Sequence, residues 1–404
     1  MKLPNIIANP NEEYVTIPAL KTFIKANGIT VSKEEKATYI QAISEYADQS
    51  SEAKELVVTW IDEVIKEGIK EIQVANIPIS SELEMRVSSP RAIQSYLKQF
   101  VSVTIPHLTG NEYGNNYSLV RADVQSNEHG NFISLLFCRM LRYHDIQKGH
   151  GGIVEYPVFV DYYYERGWLI TRYKSRSGLY PITPVGTPME EWLKNPLSVG
   201  KEIKQVLEQV TNILILGSID MRAASASMQT KFFELLDKYT HTPAEIVQVL
   251  NENELGIEAL KDKMVQMCSL PISYHSRVVQ DLQTMAEKYL SITWRDKTIF
   301  IKDREAYPTR LTTTDEEESR IDQTAATADD PLQSKEVFFD NKRMLYNQKR
   351  CEGLTLMWRR RDKKYFGEFF PVRFSEKGGI CTLSFKKYVA EEDVLHVLFA
   401  IIDT

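Results

Sequence analysis

IVEYPVFVDYYYERGWLITRYK, residues 153–174, is the stretch on which the fold class turns. β-Branched and aromatic side chains dominate it, and Glu165-Arg166-Gly167 interrupts it with turn chemistry. The reading is a hairpin of two strands, Ile153–Tyr164 and Trp168–Lys174. Asp161-Tyr162-Tyr163-Tyr164 places aromatic side chains on both faces of the first strand, because successive side chains alternate. Working outward, Glu71–Ala75 and Phe100–Ile105 read as further strands, bounded by clusters such as Thr109-Gly110-Asn111 and Gly114-Asn115-Asn116. Asn131–Tyr143 fits a strand or a buried helix, since a short apolar run has no period that separates the two. Residues 71–186 are therefore expected to form a β-rich domain.

The flanks read differently. Leu20, Phe23 and Ile24 recur at helical spacing, and Asn27-Gly28 supplies a stop. Ser32 with Glu35 forms a capping-box pattern for a second helix through about Tyr46. A third helix, about Glu52 to Lys66, carries the stripe Leu56, Trp60, Ile61 and Val64 and closes at Gly68. Residues 1–70 are thus a small helical module. Beyond the β-rich domain, residues 187–310 read as helical. Thr187-Pro188-Met189-Glu190 and Thr242-Pro243-Ala244-Glu245 mark helix starts, and long helices are expected near Val199–Leu216, Ile219–Tyr239, Leu255–Met267 and Ser276–Tyr289. A hairpin is expected at Ile292–Trp294 and Thr298–Ile301. Residues 311–334 (LTTTDEEESRIDQTAATADDPLQS) hold few large apolar side chains and no aromatic one, which predicts an acidic, disordered linker. Residues 335–404 are expected as a basic, antiparallel β-rich module with strands at Val337–Phe339, Leu354–Arg359, Tyr365–Phe374 and Ile380–Phe385. A closing helix is expected over Ala390–Ile402. The fold class is α+β.

Composition excludes several classes. With 43% hydrophobic residues over 404 positions the chain can build real cores, which rules out a wholly disordered protein. No apolar run reaches the ~18 residues of a spanning helix, so no membrane partner is expected. Four cysteines, Cys138, Cys268, Cys351 and Cys381, are scattered without a CxxC, which points to a cytoplasmic, reducing setting and no structural zinc. Lys148-Gly149-His150-Gly151-Gly152 lacks the Lys-Ser/Thr ending of a phosphate-binding loop, and no cofactor is expected. Charge is uneven: residues 1–90 hold 9 basic against 14 acidic groups, and residues 335–390 hold 14 against 6. The local field therefore says more about partners than the net charge of −6.

Residues 15–47 carry the string IPALKTFIKANGITVSKEEKATYIQAI, with Ile17, Leu20, Lys21, Phe23, Ile24, Gly28, Ile29, Ser32, Lys36, Tyr39 and Ile40 in order. This resembles a SAP-type helix–extended loop–helix module. The resemblance implies DNA binding at the backbone, with Lys21, Lys25, Lys33 and Lys36 as phosphate contacts. Glu34 and Glu35 flank that surface and the segment is net acidic, which weakens phosphate binding. The other reading of the same residues is a three-helix protein-docking domain.

A second candidate surface is Trp358-Arg359-Arg360-Arg361-Asp362-Lys363-Lys364-Tyr365-Phe366. Arg359, Arg360, Arg361, Lys363 and Lys364 around a strand–turn–strand can follow a nucleic-acid backbone while aromatics stack on bases. The acidic stretch Asp315–Glu318 is a candidate to cover that face in cis. A divergent metal-dependent nuclease would use Asp340-Asn341-Lys342 or Asp362-Lys363-Lys364 as its Asp-x-Lys element. Cys138 with His144, and Cys268 with His275, have the residue types of a thiolate–imidazole pair but no supporting signature. The leading expectation is a DNA-associated, non-catalytic subunit of a larger assembly, in the setting of prokaryotic antiviral defence, with protein partners. The alternatives are the nuclease and a protein-binding adaptor without nucleic-acid contact.

Overall fold

The computed structural model describes residues 1–9, 12–87, 89–145, 149–314, 320–325, 327 and 329–404. It is mixed α+β. The N-terminal helices are α1 (Asn5–Ala8), α2 (Ile17–Ala26), α3 (Lys36–Ala47) and α4 (Ser51–Val64). Then come β1 (Glu71–Asn76), α5 (Ser81–Val87), α6 (Pro90–Lys98), β2 (Ser118–Asn127), β3 (Gly130–Asp145), β4 (His150–Tyr163), β5 (Trp168–Tyr173) and β6 (Leu179–Tyr180). Five helices from α7 (Met189–Trp192) and α8 (Val199–Leu214) to α9 (Met221–Tyr239), α10 (Ala244–Glu252) and α11 (Glu254–Cys268) lead to α12 (His275–Thr293). The remainder is β7 (Ala306–Thr314), β8 (Arg320–Thr324), α13 (Glu336–Gln348), β9 (Gly353–Arg359), β10 (Phe369–Lys377), β11 (Ile380–Phe385) and α14 (Glu391–Ile402).

The chain divides into two compact units. The first comprises residues 1–224, 361–367 and 378–396; the second comprises residues 225–360, 368–377 and 397–404. Residues 335–404, expected as one module, are thus shared between the units.

In the first unit the strands run β2-β3-β4-β5-β1-β11, with β6 on β3. The pairs β2–β3, β3–β4, β4–β5, β5–β1 and β1–β11 are antiparallel. The open alternative at 131–143 resolves to strand. Leu135 and Phe137 of β3 join Val158, Val160 and Tyr162 of β4 in a core with α5, α6 and α8 residues such as Leu83, Ile93 and Val206. Leu136 and Cys138 of β3 and Phe159 of β4 join the opposite core with Leu20, Phe23, Ile43 and Ile61 of the N-terminal helices. Because helices cover both faces, the strands of residues 153–174 are buried almost throughout, their polar residues Glu155, Asp161 and Arg172 included. Gly167 has φ +71, and a Cβ there would meet the Ile77 carbonyl oxygen at 3.0 Å, so the β4–β5 turn requires glycine.

Some expected boundaries move. Gly28, at φ +63, ends α2 as expected. Ser32 does not cap α3: Glu35 is the cap position, with no side-chain hydrogen bond. The true caps are Thr16, whose Oγ1 accepts from Ala19 N at 3.3 Å, and Ser50, whose Oγ accepts from Ala53 N at 3.1 Å. Phe100–Ile105 is irregular rather than a strand, and α5 and α6 precede it. Ile93 and Leu97, one turn apart after Ser89-Pro90, were the helical signal for α6.

The second unit pairs β10-β9-β7-β8, all antiparallel. Its aromatic centre is Trp358, with Tyr239 at 5.5 Å and Phe374 at 6.5 Å between ring centroids. The expected disordered linker is corrected here. Leu311–Thr314 continues β7, and Thr324 to Arg320 pair back onto it. Thr312, Thr313 and Gln323 are buried because ladder hydrogen bonds, not apolar mass, hold a short polar hairpin against its neighbour. Residues 315–319, which contain the acidic stretch Asp315–Glu318, lie outside the described residues. The expected hairpin at 292–301 is instead the end of α12 and a 3-10 turn at Lys297–Phe300, where Asp296 Oδ1 accepts from Thr298 N at 3.0 Å. Val337–Phe339 lies in α13, since Phe338 and Leu345 recur at helical spacing and share its buried face.

Candidate functional site

The site is built on α2 and α4 of the first unit. Along α4, Val57, Ile61 and Val64 point into the core, so Leu56 cannot share that face; it is 45% exposed, although the sequence stripe included it. The rings of Phe23 of α2 and Trp60 of α4 pack at a tilt of 36° with centroids 4.5 Å apart, and Tyr46 meets Phe23 edge-on at 6.3 Å. Between the two helices runs a groove of about 610 Å³. Ala19, Phe23, Leu56 and Trp60 give it an apolar floor, and Glu52, Glu55 and Glu63 line its edge. Among the described residues none of these three carboxylates makes an ion pair. The Glu52 carboxyl is held below its ordinary pKa by its own backbone amide in the first turn of α4, with help from the Ser50 hydroxyl.

Lys364 closes one end of the groove, although it is 297 positions from its partner Glu67. Its Nζ lies 2.6 Å from Glu67 Oε2, to which the Tyr365 hydroxyl also donates at 2.8 Å. Tyr365 stacks on Tyr388 at 6.0 Å, and the Tyr388 hydroxyl donates to the Glu13 carbonyl.

The expected phosphate contacts are largely consumed by internal partners. Lys21 pairs with Glu34 at 2.6 Å, and this hydrogen bond raises its pKa. Lys36 is part-buried, donates to the Glu12 carbonyl oxygen, and has its pKa lowered by burial. Lys25 and Lys33 stand exposed. Arg359 pairs with Glu368, lies 4.7 Å over the Phe369 ring and donates to the Arg304 carbonyl at 3.4 Å. Arg360 lies 5.0 Å over Phe370. Arg361 and Lys363 are exposed, and the Arg361 amide donates to Asp393 Oδ1 at 2.7 Å. The expected strand–turn–strand forms, with Arg359 at the end of β9 opposite Phe369 at the start of β10, but the second strand begins at Phe369 rather than Tyr365, so Arg360, Arg361, Lys363 and Lys364 lie in the connecting loop. Arg359 and Arg360 belong to the second unit, and Arg361, Lys363 and Lys364 to the first.

The nuclease elements are also otherwise engaged. Asp340-Asn341-Lys342 sits in a helix, with Asp340 on Lys288 at 2.5 Å and Lys342 on Glu287 at 2.7 Å. Asp362 Oδ1 accepts from the Lys364 amide. Cys138 is fully buried, and burial pushes its thiol well up, which disfavours a thiolate. Among the described residues no helix is long and apolar enough to cross a membrane. No family model, curated protein or solved structure matches the chain.

Proposed function

We propose that this chain is a non-catalytic, protein-binding subunit of a larger assembly, and that the α2–α4 groove receives a basic, apolar-anchored helical segment of a partner protein. The observation that carries this is the groove itself: an apolar floor with Leu56 exposed on it, bordered by three carboxylates without ion pairs among the described residues. An amphipathic helix recognises such a surface by inserting apolar residues a turn apart. Lysines or arginines on its flanks meet Glu52, Glu55 and Glu63, which speeds encounter and sets orientation. The same carboxylates repel phosphate, and the internal pairing of Lys21, Lys36, Arg359 and Lys364 removes cations that a nucleic-acid backbone needs.

The test is fluorescence anisotropy of the full chain with a synthetic Lys/Leu amphipathic helix and, separately, with duplex DNA over a salt series. The peptide is expected to bind. Leu56→Asp is expected to weaken it by about tenfold or more, equivalent to ~1.4 kcal/mol. Changing Glu52, Glu55 and Glu63 together to Gln is expected to flatten its salt dependence. If the duplex binds tighter than the peptide at low salt, and replacing Lys21, Lys25, Lys33 and Lys36 by Ala abolishes that binding, the DNA-associated reading replaces this one.

A further inference from the structure

Away from the groove, the first unit buries two lysines side by side. The β1–β5 register sets Glu71 opposite Tyr173 and Ile72 opposite Arg172, so Lys70 and Lys174 fall opposite one another at the next step, on one face. Lys70 is held at that level by its carbonyl, which accepts from Phe385 N at 2.9 Å, and Lys174 by its carbonyl, which accepts from the Tyr156 hydroxyl at 2.7 Å. The two residues are 3% and 7% exposed. Their ammonium groups lie 4.7 and 4.5 Å from the centroid of the same ring, Tyr14.

Neither ammonium donates to a carboxylate or carbonyl among the described residues. The buried Tyr14 hydroxyl has no hydrogen-bond partner either. The nearby carboxylates are committed elsewhere. Glu12 holds Arg176 at 2.7 Å, Glu67 holds Lys364, Glu391 holds Arg172 at 2.6 Å, and Glu155 accepts from Ile6 N at 3.1 Å. Glu13 is exposed. Arg176 itself lies 3.4 Å over the Tyr143 ring, and Lys36 donates to the Glu12 backbone rather than to its carboxylate. Lys36, Lys174 and Arg176 therefore share the field of one buried carboxylate, Glu12.

A buried charge without a counter-charge costs several kcal/mol, and a second like charge beside it adds repulsion. The ring of Tyr14 returns only part of this through cation–π attraction. Two ammonium groups over one ring and the hydroxyl of that ring, all without acceptors among the described residues, have the complement of a compact oxyanion with several acceptor oxygens. We infer that Lys70, Lys174 and the Tyr14 hydroxyl form a binding site for the phosphate group of a small molecule. Burial lowers the pKa of both lysines, with repulsion from Lys174 adding to it at Lys70 and repulsion from Arg176 adding to it at Lys174, which falls to about 8; a bound anion opposes these effects. Phosphate binds the protonated pair, so affinity is expected to fall as pH rises through about 8.

The test is calorimetric titration and thermal denaturation of the full chain with inorganic phosphate and, in a separate arm, with a nucleoside diphosphate. The tighter of the two shows whether the phosphate arrives free or on a nucleoside. Wild type is expected to bind at least one and to melt several degrees higher when it is saturating. Lys70→Met/Lys174→Met is expected to match or exceed the melting temperature of ligand-free wild type, because it removes buried charge, and to lose the calorimetric signal and the ligand-induced shift. Lys174→Arg, which keeps the charge, is expected to retain binding. Equal shifts in wild type and the double Met variant, as a general salt effect would give, overturn the proposal; so does absence of calorimetric binding in wild type with both ligands.

Discussion

Replacing Arg139 by Ala is expected to destabilise the first unit by about 3–5 kcal/mol, the cost of stripping one partner from a buried ion pair. Arg139 lies on β3 and Glu202 in the first turn of α8, 2.8 Å apart, with the Glu202 side chain 1% exposed. The guanidinium also packs 5.4 Å from the Tyr117 ring centroid. Without it the carboxylate has neither water nor a counter-charge, and the contact that seats α8 on the sheet is lost. The measurement is the urea midpoint of Arg139→Ala beside that of the double variant Arg139→Met/Glu202→Leu. The double variant is expected to recover most of the loss, because an apolar pair of similar volume carries no desolvation cost. If Arg139→Ala alone leaves the midpoint unchanged, the pair contributes nothing and α8 is held by its apolar stripe.

Arg304→Ala is expected to cost a comparable ~3–5 kcal/mol in the second unit through unmade hydrogen bonds to buried acceptors. Arg304 donates to the Tyr239 carbonyl at 2.7 Å, to the His241 carbonyl, and to Gln333 Oε1 at 2.6 Å. Gln333, 1% exposed, donates in turn to the Thr240 carbonyl at 2.5 Å. The two side chains thus cap the C-terminal end of α9, where backbone acceptors have no partner in the helix and a cation meets the negative end of the dipole. Burial lowers the Arg304 pKa to about 10, still far enough above neutrality to keep the charge. Gln333→Ala removes one donor and one acceptor of the same network and is expected to cost less, ~1–3 kcal/mol. In a thermal melt both variants are expected to lower the transition of the second unit; an unchanged Arg304→Ala melt would mean that water replaces the cap at no cost.

Gln333 also marks where composition misleads. It falls in residues 311–334, whose sparse apolar content predicted disorder, yet it is among the most buried polar residues. The groove was half legible. The apolar spacing of α2 and α4 is plain in the sequence, but the stripe put Leu56 among core residues. The face that is buried depends on where the sheet and α3 lie, and periodicity does not carry that. The basic stretch 359–364 was legible as charge and illegible as availability. Glu368 and Glu67 neutralise two of its members, the second from 297 positions away.

By itself the sequence determined the α+β class, the β4–β5 hairpin, the helices α2, α3 and α4 and the long helices α8, α9, α11 and α12. Each of these rests on a signal within a dozen residues: a period of two or 3.6, a cap, a glycine at positive φ. Only the tertiary structure decided that β7 and β8 pair, which cations have partners, and that Lys70 and Lys174 meet over Tyr14. Those outcomes depend on strand register and on the burial of charge between segments far apart in the chain. A charge is cheap in water and costly away from it, so its role follows from where the fold puts it rather than from its neighbours in sequence.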